Sequence, residues 1–382
     1  MTTLSNVVIT MQSIDPPYQT LYAELEQRSL DDSFVSDFPP DGRFVSMESK
    51  GRRYWYFDRG SHQNRKRVYV GPADDPEIAK RVEAFKDLKA DITARRRLVT
   101  TLTRDGKLPA PGRAAGGVVE AMANAGFFRL RGVLVGTTAF QCYSALMSVR
   151  LPNPLLQTGD ADFAQFHSIS AAVGDSIPPI LDVLQGVDET YRVVPHHADP
   201  NQSTKFRSRD GFMVEFLTPN TSSEDYVGHP ADIPALGRAS AEPLRFLDFL
   251  IYEPVRAILL YGPGIPVLVP APARYAVHKM IIAARRRGGA NDRVKTDKDI
   301  QQASVLIEAF AQSRRSDEFA AAYAEAFDRG PHWQVALVDT AGRMPNESAA
   351  LRSILAAGFK LLRRSPEPYL RAISGDAPPR ST

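Results

Sequence analysis

The spacing of apolar residues changes along the N-terminal part of the chain. Apolar residues between 18 and 25 recur at helical spacing and predict a short amphipathic helix. From Arg43 the pattern has a period of two, which predicts strands over 53–57 and 67–70. This region is therefore expected to contain a small antiparallel sheet.

A long helix follows the small sheet. Asp75-Pro76 is a typical helix start, and an apolar stripe of helical period continues to about Leu102. Proline and glycine at 109–112 then indicate a boundary. Residues 1–110 are expected to form an N-terminal region made of a basic sheet and a long helix.

The centre of the chain combines a strand, a glycine turn, a helix and a second strand. The apolar run 133–135 stops at Gly136, and helical spacing begins at Thr137. A proline-rich loop then leads to Asp160 and Asp162 at the start of the next strand. Residues two apart on a strand face the same way, so these aspartates should point together.

This arrangement suits a nucleotide and a divalent cation. Gly136 would let the backbone approach a phosphate, and the helix N-terminus would favour that anion. Asp160 and Asp162 would offer oxygen ligands to Mg²⁺. The alternative is a simple strand end, with Thr137 as a helix cap and both aspartates in water.

A further carboxylate interrupts an apolar strand. The alternation over 212–217 predicts a strand with Glu215 at its middle, after another strand at 191–194. A buried carboxylate needs a cation or a hydrogen-bond donor. Alternatively, Glu215 lies on an edge strand in water. His196-His197, in a polar loop, is interpreted as a surface pair.

The C-terminal half is mainly helical in pattern. A helix beginning near Pro272 has Lys279 beside its apolar face. A second helix is predicted from about Asp297, which places Asp299 in its first turn as a favourable charge at the helix dipole. Helical spacing also covers 317–363. Before these helices, 220–242 is expected to be a surface loop and 244–261 to be paired strands.

Composition excludes several classes of protein. Of 382 residues, 43% are hydrophobic and 24% charged, which is ordinary for a soluble globular protein. The only cysteine, Cys142, excludes intramolecular disulfides and cysteine zinc sites. No signal peptide and no apolar run of membrane-spanning length is present, so a cytoplasmic protein without membrane attachment is expected.

Positive charge is concentrated in the predicted N-terminal sheet. The formal net charge is only +3, yet residues 43–67 hold eight Lys or Arg against Glu48 and Asp58. Basic residues interleaved with aromatic ones favour nucleic-acid contact over 43–72. The alternative is a packed hairpin whose arginines are merely solvated.

The ordered motifs resemble a known superfamily. Gly136-Thr137, then Asp160-x-Asp162, then Glu215 is similar to the pattern of polymerase-β-type nucleotidyltransferases. The long spacing between Gly136 and Asp160, and threonine where serine or glycine is usual, are departures from it. The downstream runs that end at Lys279 and Asp299 resemble those of bacterial abortive-infection-type and uncharacterised nucleotidyltransferase-like proteins.

The resemblance covers about 113–310 and implies an α+β fold. A nucleotidyltransferase-type mixed sheet with helices is expected over 111–270, followed by a helical region over 271–382 that contributes to the cleft. The small basic antiparallel sheet and the long helix would precede both.

The resemblance also implies roles for individual residues. Asp160 and Asp162 would bind Mg²⁺ or Mn²⁺ with the phosphates of an NTP such as ATP, and Glu215 would complete the metal site or act as base. The triphosphate would be held by Gly136 and Thr137. Lys279 would contact a phosphate, and Asp299 would orient that lysine or the base.

The expected reaction is Mg²⁺-dependent transfer of an NMP to an acceptor hydroxyl on tRNA, another RNA or a protein, in a toxin or defence setting. The competing interpretation is a non-catalytic nucleic-acid-binding protein on a degenerate nucleotidyltransferase fold.

Overall fold

In the computed structural model, the described residues are 11–31, 42–49, 51–59, 66–168, 176–200, 202–220, 229–237, 239–286, 290–344 and 348–374. They form helices α1 (Pro16–Asp31), α2 (Pro76–Arg104), α3 (Arg113–Asn124), α4 (Gly136–Leu146), α5 (Ile180–Gln185), α6 (Leu247–Leu250), α7 (Pro272–Arg285), α8 (Ala290–Gln312), α9 (Ser316–Asp328), α10 (Pro331–Gly342), α11 (Ser348–Leu361) and α12 (Glu367–Ser374).

The strands are β1 (Arg43–Ser49), β2 (Arg52–Arg59), β3 (Lys66–Pro72), β4 (Val133–Val135), β5 (Asp160–Ala164), β6 (Arg192–Val194), β7 (Lys205–Arg207), β8 (Met213–Pro219), β9 (Ala231–Asp232), β10 (Ser240–Leu244), β11 (Val255–Leu259) and β12 (Ile265–Val269). The fold is α+β, with a mixed sheet, a separate small antiparallel sheet and a helical C-terminal part.

The N-terminal sheet has three strands in the order β1-β2-β3, all antiparallel. One face packs on α2, where Phe44 and Phe57 each meet the ring of Phe85 edge-on. Helix α2 begins where the sequence predicts, because the side chain of Asp75 accepts hydrogen bonds from the first-turn N–H groups of Glu77 and Ile78.

Helix α1 joins this region to the rest of the chain. The Tyr22 hydroxyl accepts a hydrogen bond from the backbone N–H of Ile258 in β11, at 2.9 Å. Leu25 and Leu102 lie in the same buried cluster as Ile258. Buried apolar contacts therefore tie α1 and α2 to the β11–β12 hairpin.

The central sheet brings strands together that are far apart in sequence. Its main path is β4-β5-β8-β10-β9, and β7 pairs with β8 while β6 pairs with β7. Strand β7 pairs with residues 213–215 of β8, whereas β10 pairs with 217–219. Since these are different halves of β8, β7 and β10 lie one after the other along the same edge. Near the start of β8 the strand order is thus β4-β5-β8-β7-β6.

Three local expectations need correction. Residues 220–242 are not all surface loop, because Ile233, Ala235 and Leu236 are buried beside the start of β10. Residues 244–261 are not paired strands, because β10 ends at Leu244 and the short helix α6 separates it from β11.

The third correction concerns α8, which begins at Ala290 and not near Asp297. Asp299 is therefore inside the helix and is not a first-turn charge at the dipole. Val294 in the early part of α8 is 70% exposed. Because Val294 is the only apolar residue over 292–298 and is exposed, the apolar period gives no sign of these turns.

Replacing Phe85 by Ala should loosen the N-terminal sheet. Truncation of a buried phenylalanine typically costs about 3–5 kcal/mol, and here it removes the ring that covers Phe44 and Phe57. Amide hydrogen exchange should accelerate in β1–β3 and remain unchanged in β5 and β8. The control is Glu83→Ala on the exposed side of α2, which removes only a surface ion pair with Lys86. Unchanged exchange in Phe85→Ala would contradict this packing.

Candidate active site

The register of the central sheet places three acidic side chains on one face. Strand β5 runs parallel to β8, and Asp162 lies opposite Glu215. Asp160 precedes Asp162 by two residues and so shares its face. On the other side of β5, Asp162 lies opposite Val135, the last residue of β4. The face that carries these three acids, here called the acidic face, is thus adjacent to the point where β4 ends and α4 begins.

Gly136 makes the turn from β4 into α4, with a φ of +67° that disfavours other residues. A Cβ at this position would overlap Oδ2 of Asp162. The Tyr275 hydroxyl lies 3.0 Å from the Gly136 carbonyl oxygen, so α7 holds the turn from outside the sheet. Thr137 follows in the first turn of α4, whose N-terminal N–H groups lie beside the acidic face.

Asp162 carries the clearest electrostatic signature of the acidic face. Burial raises the pKa of Asp162 to about 7, and the negative charges of Asp160 and Glu215 raise it further. The positive charges of Lys279 and Lys205 act in the opposite direction and lower this pKa. Asp162 is therefore harder to ionise than an ordinary aspartate.

Each of the other two acids has a partner in the protein. The Nζ atom of Lys205 on β7 lies 2.9 Å from Oε1 of Glu215, whose side chain is 23% exposed. Thr158 donates its hydroxyl to Oδ1 of Asp160. Glu215 thus lies on an interior strand with a cationic partner, as a carboxylate in an apolar strand requires. The interpretation of Glu215 as a solvated edge residue is wrong.

Lys279 and Asp299 join the helical region to this face. Nζ of Lys279 lies 2.6 Å from Oδ1 of Asp299, and both side chains are nearly buried. Nε of Arg286 lies 2.9 Å from Oδ2 of Asp299, close enough for an ion pair but without the alignment of a hydrogen bond. Asp299 therefore fixes a lysine whose charge acts on Asp162. Asp297 has no comparable contact among those that the structure shows.

Lys298 is a neighbour of the site that the sequence pattern did not single out. Its Nζ donates a hydrogen bond of 2.7 Å to the carbonyl of Gln157. Burial lowers the pKa of Lys298, as does the charge of Lys279, whereas Asp160 and Asp299 raise it. Lys298 thus lies near Asp160 and also near Asp299, the partner of Lys279. Its position beside Asp299 in sequence was the available signal.

The sequence pattern also did not single out Lys205, because its strand is three residues long and follows a loop.

The interpretation of His196 as a surface residue is wrong. His196 is buried, and its Nε2 lies 3.0 Å from Oε2 of Glu242 on β10. The backbone N–H of Ala198 donates to Nδ1, so Nε2 carries the proton toward Glu242. This pair braces β10.

The acidic face has the ligand chemistry of a divalent-cation site. Within the described ranges, no group of three or more His, Cys, Asp or Glu side chains is already close enough to hold a metal ion. That agrees with the partners observed, since Glu215 is turned to Lys205 and Asp160 to Thr158. Carboxylate oxygens suit Mg²⁺ and Mn²⁺. A bound cation would also lower the pKa of Asp162, which burial and the neighbouring charges of Asp160 and Glu215 raise.

A family model described as nucleotidyltransferase matches residues 113–328, which is more than half of the chain. The chain belongs to this nucleotidyltransferase family. The family match begins with α3, ends with α9, and includes every residue of the acidic face. General nucleotidyl transfer is the function that family membership supports.

No curated protein sequence matches the chain. Among solved structures, the crystal structure of an antigenic nucleotidyltransferase-like protein from Paracoccidioides brasiliensis is 13% identical and covers 64% of this chain and 94% of that one, with a TM-score of 0.33. Within the described ranges, the helices all fall short of the length and apolarity needed to cross a membrane.

Replacing Asp162 by Asn should stabilise the protein more at pH 8 than at pH 4. A carboxyl whose pKa is raised from 3.8 to about 7 on folding favours the folded state only while it is protonated. The resulting loss of stability grows as the pH rises from about 4 to 7 and is complete above 7. At about 1.4 kcal/mol per pKa unit, the gain at pH 8 is a few kcal/mol at most.

Thermal unfolding of wild type and Asp162→Asn at the two pH values measures this difference. The matched control is Asp87→Asn on the exposed surface of α2, which should change little at either pH. A melting temperature of Asp162→Asn that shifts equally at both pH values would show that Asp162 is not under electrostatic strain.

Proposed function

We propose that the protein transfers an NMP from an NTP, ATP among them, to an acceptor hydroxyl. The observation that carries this proposal is the register of Asp162 against Glu215 on neighbouring strands, directly beside the Gly136 turn into α4. Family membership supports the class of reaction. The closeness of these two acids to the Gly136 turn supports this part of the sheet as the site of the reaction.

In this proposal the triphosphate lies on the α4 side of the acidic face. Gly136 allows a close backbone approach, and the first turn of α4 offers N–H groups and the positive end of its dipole. Thr137 adds a hydroxyl. Lys279 and Lys298 meet phosphate oxygens as point charges, and Asp299 holds Lys279 in place through their ion pair.

Asp160 and Asp162 would hold Mg²⁺ or Mn²⁺, with Glu215 either as a third ligand or as the base on the acceptor. When bound, the metal ions would stabilise the attacking and leaving oxygens of an in-line displacement. The acceptor oxygen bonds to the α-phosphorus, the bond from that phosphorus to the bridging oxygen breaks, and pyrophosphate leaves. The hydroxyl proton passes to Glu215 or to solvent.

The N-terminal sheet is the proposed contact for nucleic acid. Its outer face, turned away from α2, carries Tyr54, Tyr56 and Tyr69, whose rings contact one another. The Arg67 guanidinium lies over the Tyr56 ring, and Tyr69 is 55% exposed. Exposed aromatic rings beside cationic groups can stack bases and contact phosphates.

Asp160→Asn should abolish nucleotide transfer while leaving the fold intact, because a neutral amide is a much weaker Mg²⁺ ligand than a carboxylate. The measurement uses NTP labelled at the α-phosphate, Mg²⁺, and RNA or protein acceptors. Wild type should label an acceptor, whereas γ-label should appear only in pyrophosphate. Asp182→Asn on α5 is the control and should keep full activity.

Transfer of γ-label to the acceptor would mean a kinase-like reaction and would contradict the proposal. Full activity in the double variant Asp160→Asn, Asp162→Asn would also contradict it. RNA binding without transfer from any NTP would favour the alternative, a non-catalytic nucleic-acid-binding protein.

Removing the tyrosines of the outer face should weaken nucleic-acid binding without affecting NTP binding. Each lost base stack costs about 1–3 kcal/mol, so Tyr54→Ala, Tyr69→Ala should bind single-stranded RNA at least tenfold more weakly. Fluorescence anisotropy at several salt concentrations measures this. Tyr252→Ala, at an exposed tyrosine outside the sheet, is the matched control. Equal affinities for the two variants would contradict a role of the outer face.

A further inference from the structure

The acidic face of the central sheet continues beyond Glu215 onto the β6–β7 hairpin, which carries cationic residues. Strand β7 pairs with β8 so that Lys205 lies opposite Glu215 and Arg207 opposite Met213. Strand β6 then places Arg192 opposite Arg207. Paired residues point to the same face of a sheet, so these three cations share the face of the acidic residues.

The register arranges this face in two rows that cross the strands. One row contains Asp162, Glu215 and Lys205, and the next contains Asp160, Met213, Arg207 and Arg192. Adjacent strands are about 4.8 Å apart, so Arg207 lies about 10 Å from the Asp160 strand position and Arg192 about 14 Å. Both rows lead from carboxylates to cations.

The electrostatics agree with this geometry. The charge of Lys205 reaches across β8 and lowers the pKa of Asp162. Arg192 and Arg207 are exposed, and the six residues of β6 and β7 include three cations and no acid. The acids nearby lie outside these strands: the charges of Arg192 and Arg209 act on Asp188, in the turn before β6.

The hairpin lies on the opposite flank of the acids from the proposed nucleotide position. Gly136 and the N-terminus of α4 follow β4, on one side of β5, whereas β7 and β6 extend from the far edge of β8. The cations are therefore separated from the proposed triphosphate position by the acids. An acceptor that reaches Glu215 from the other flank would pass over them.

We infer that Arg192, Lys205 and Arg207 form a phosphate-binding track for the acceptor, and that the acceptor is a single-stranded nucleic acid whose terminal hydroxyl reaches Glu215. This inference rests on the proposed nucleotidyl transfer. Cations spread over two strands match repeated phosphates better than a single phosphate group, and a basic groove beside a reaction centre is the means by which single strands are guided.

The test compares Arg192→Gln, Arg207→Gln with a charge-retaining Arg192→Lys, Arg207→Lys variant. The probe is a short fluorescent single-stranded RNA, titrated at several salt concentrations. The Gln variant should bind about tenfold more weakly at low salt, and its log–log salt slope should be smaller by about 1.4, since each phosphate contact on a single strand contributes about 0.7. The Lys variant should resemble wild type.

Two controls separate this result from a general defect. Arg256→Gln removes the same charge from an exposed position on β11, outside the catalytic sheet, and should bind RNA normally. Stabilisation by a non-hydrolysable NTP with Mg²⁺ should be unchanged in every variant. Equal RNA binding by wild type and the Gln variant would overturn the track, as would an equal loss in the Gln and Lys variants.

A separate assay, the transfer of α-label, identifies the chemical class of the acceptor. Transfer of α-label to the RNA, with a KM for RNA that rises in the Gln variant, supports the track as the acceptor site. Label that enters protein instead of RNA would overturn it. RNA binding that depends on both arginines, in a protein that transfers no nucleotide, would overturn the proposed reaction and leave the track as a nucleic-acid site.

Discussion

Burial of Asp162 beside two further carboxylates on one face of the central sheet is the constraint around which the rest of the site is arranged. Burial is the main cause of the raised pKa of Asp162, and the negative charges of Asp160 and Glu215 add to it. Folding tolerates this cost because Lys205 and Lys279 approach from opposite sides. A divalent cation would relieve this cost, so the electrostatic strain and the proposed function have the same origin.

The lysines depend on parts of the fold that lie outside the two central strands. Lys205 is supplied by the β6–β7 hairpin, and Lys279 by α7, where Asp299 of α8 holds it. Tyr275 on the same helix also fixes the Gly136 turn. The helical region thus positions both the Gly136 turn and Lys279, and the family match includes both of these helices.

Several elements of the fold and of the candidate site could be predicted from local sequence. Period-two spacing, a strand-ending glycine and a lone acid in an apolar strand each have a local cause. The parallel pairing of Asp162 with Glu215 has no local signal, since it joins residues far apart in the chain. The ion pair of Lys205 with Glu215 likewise depends on the pairing of β7 with β8. A strand of only three residues gives too short a pattern to predict that pairing. Asp299 was placed in a first turn because the exposed start of α8 lacks an apolar stripe.

The proposed function requires the acidic face to bind a divalent cation together with the phosphates of an NTP. The most direct measurement is a crystal structure with Mn²⁺ and a non-hydrolysable NTP, in which anomalous scattering locates the metal. We expect Mn²⁺ bonded to carboxylate oxygens of Asp160 and Asp162 and to phosphate oxygens, with the triphosphate at the N-terminus of α4. Nucleotide and Mn²⁺ bound away from this face would contradict the proposed function.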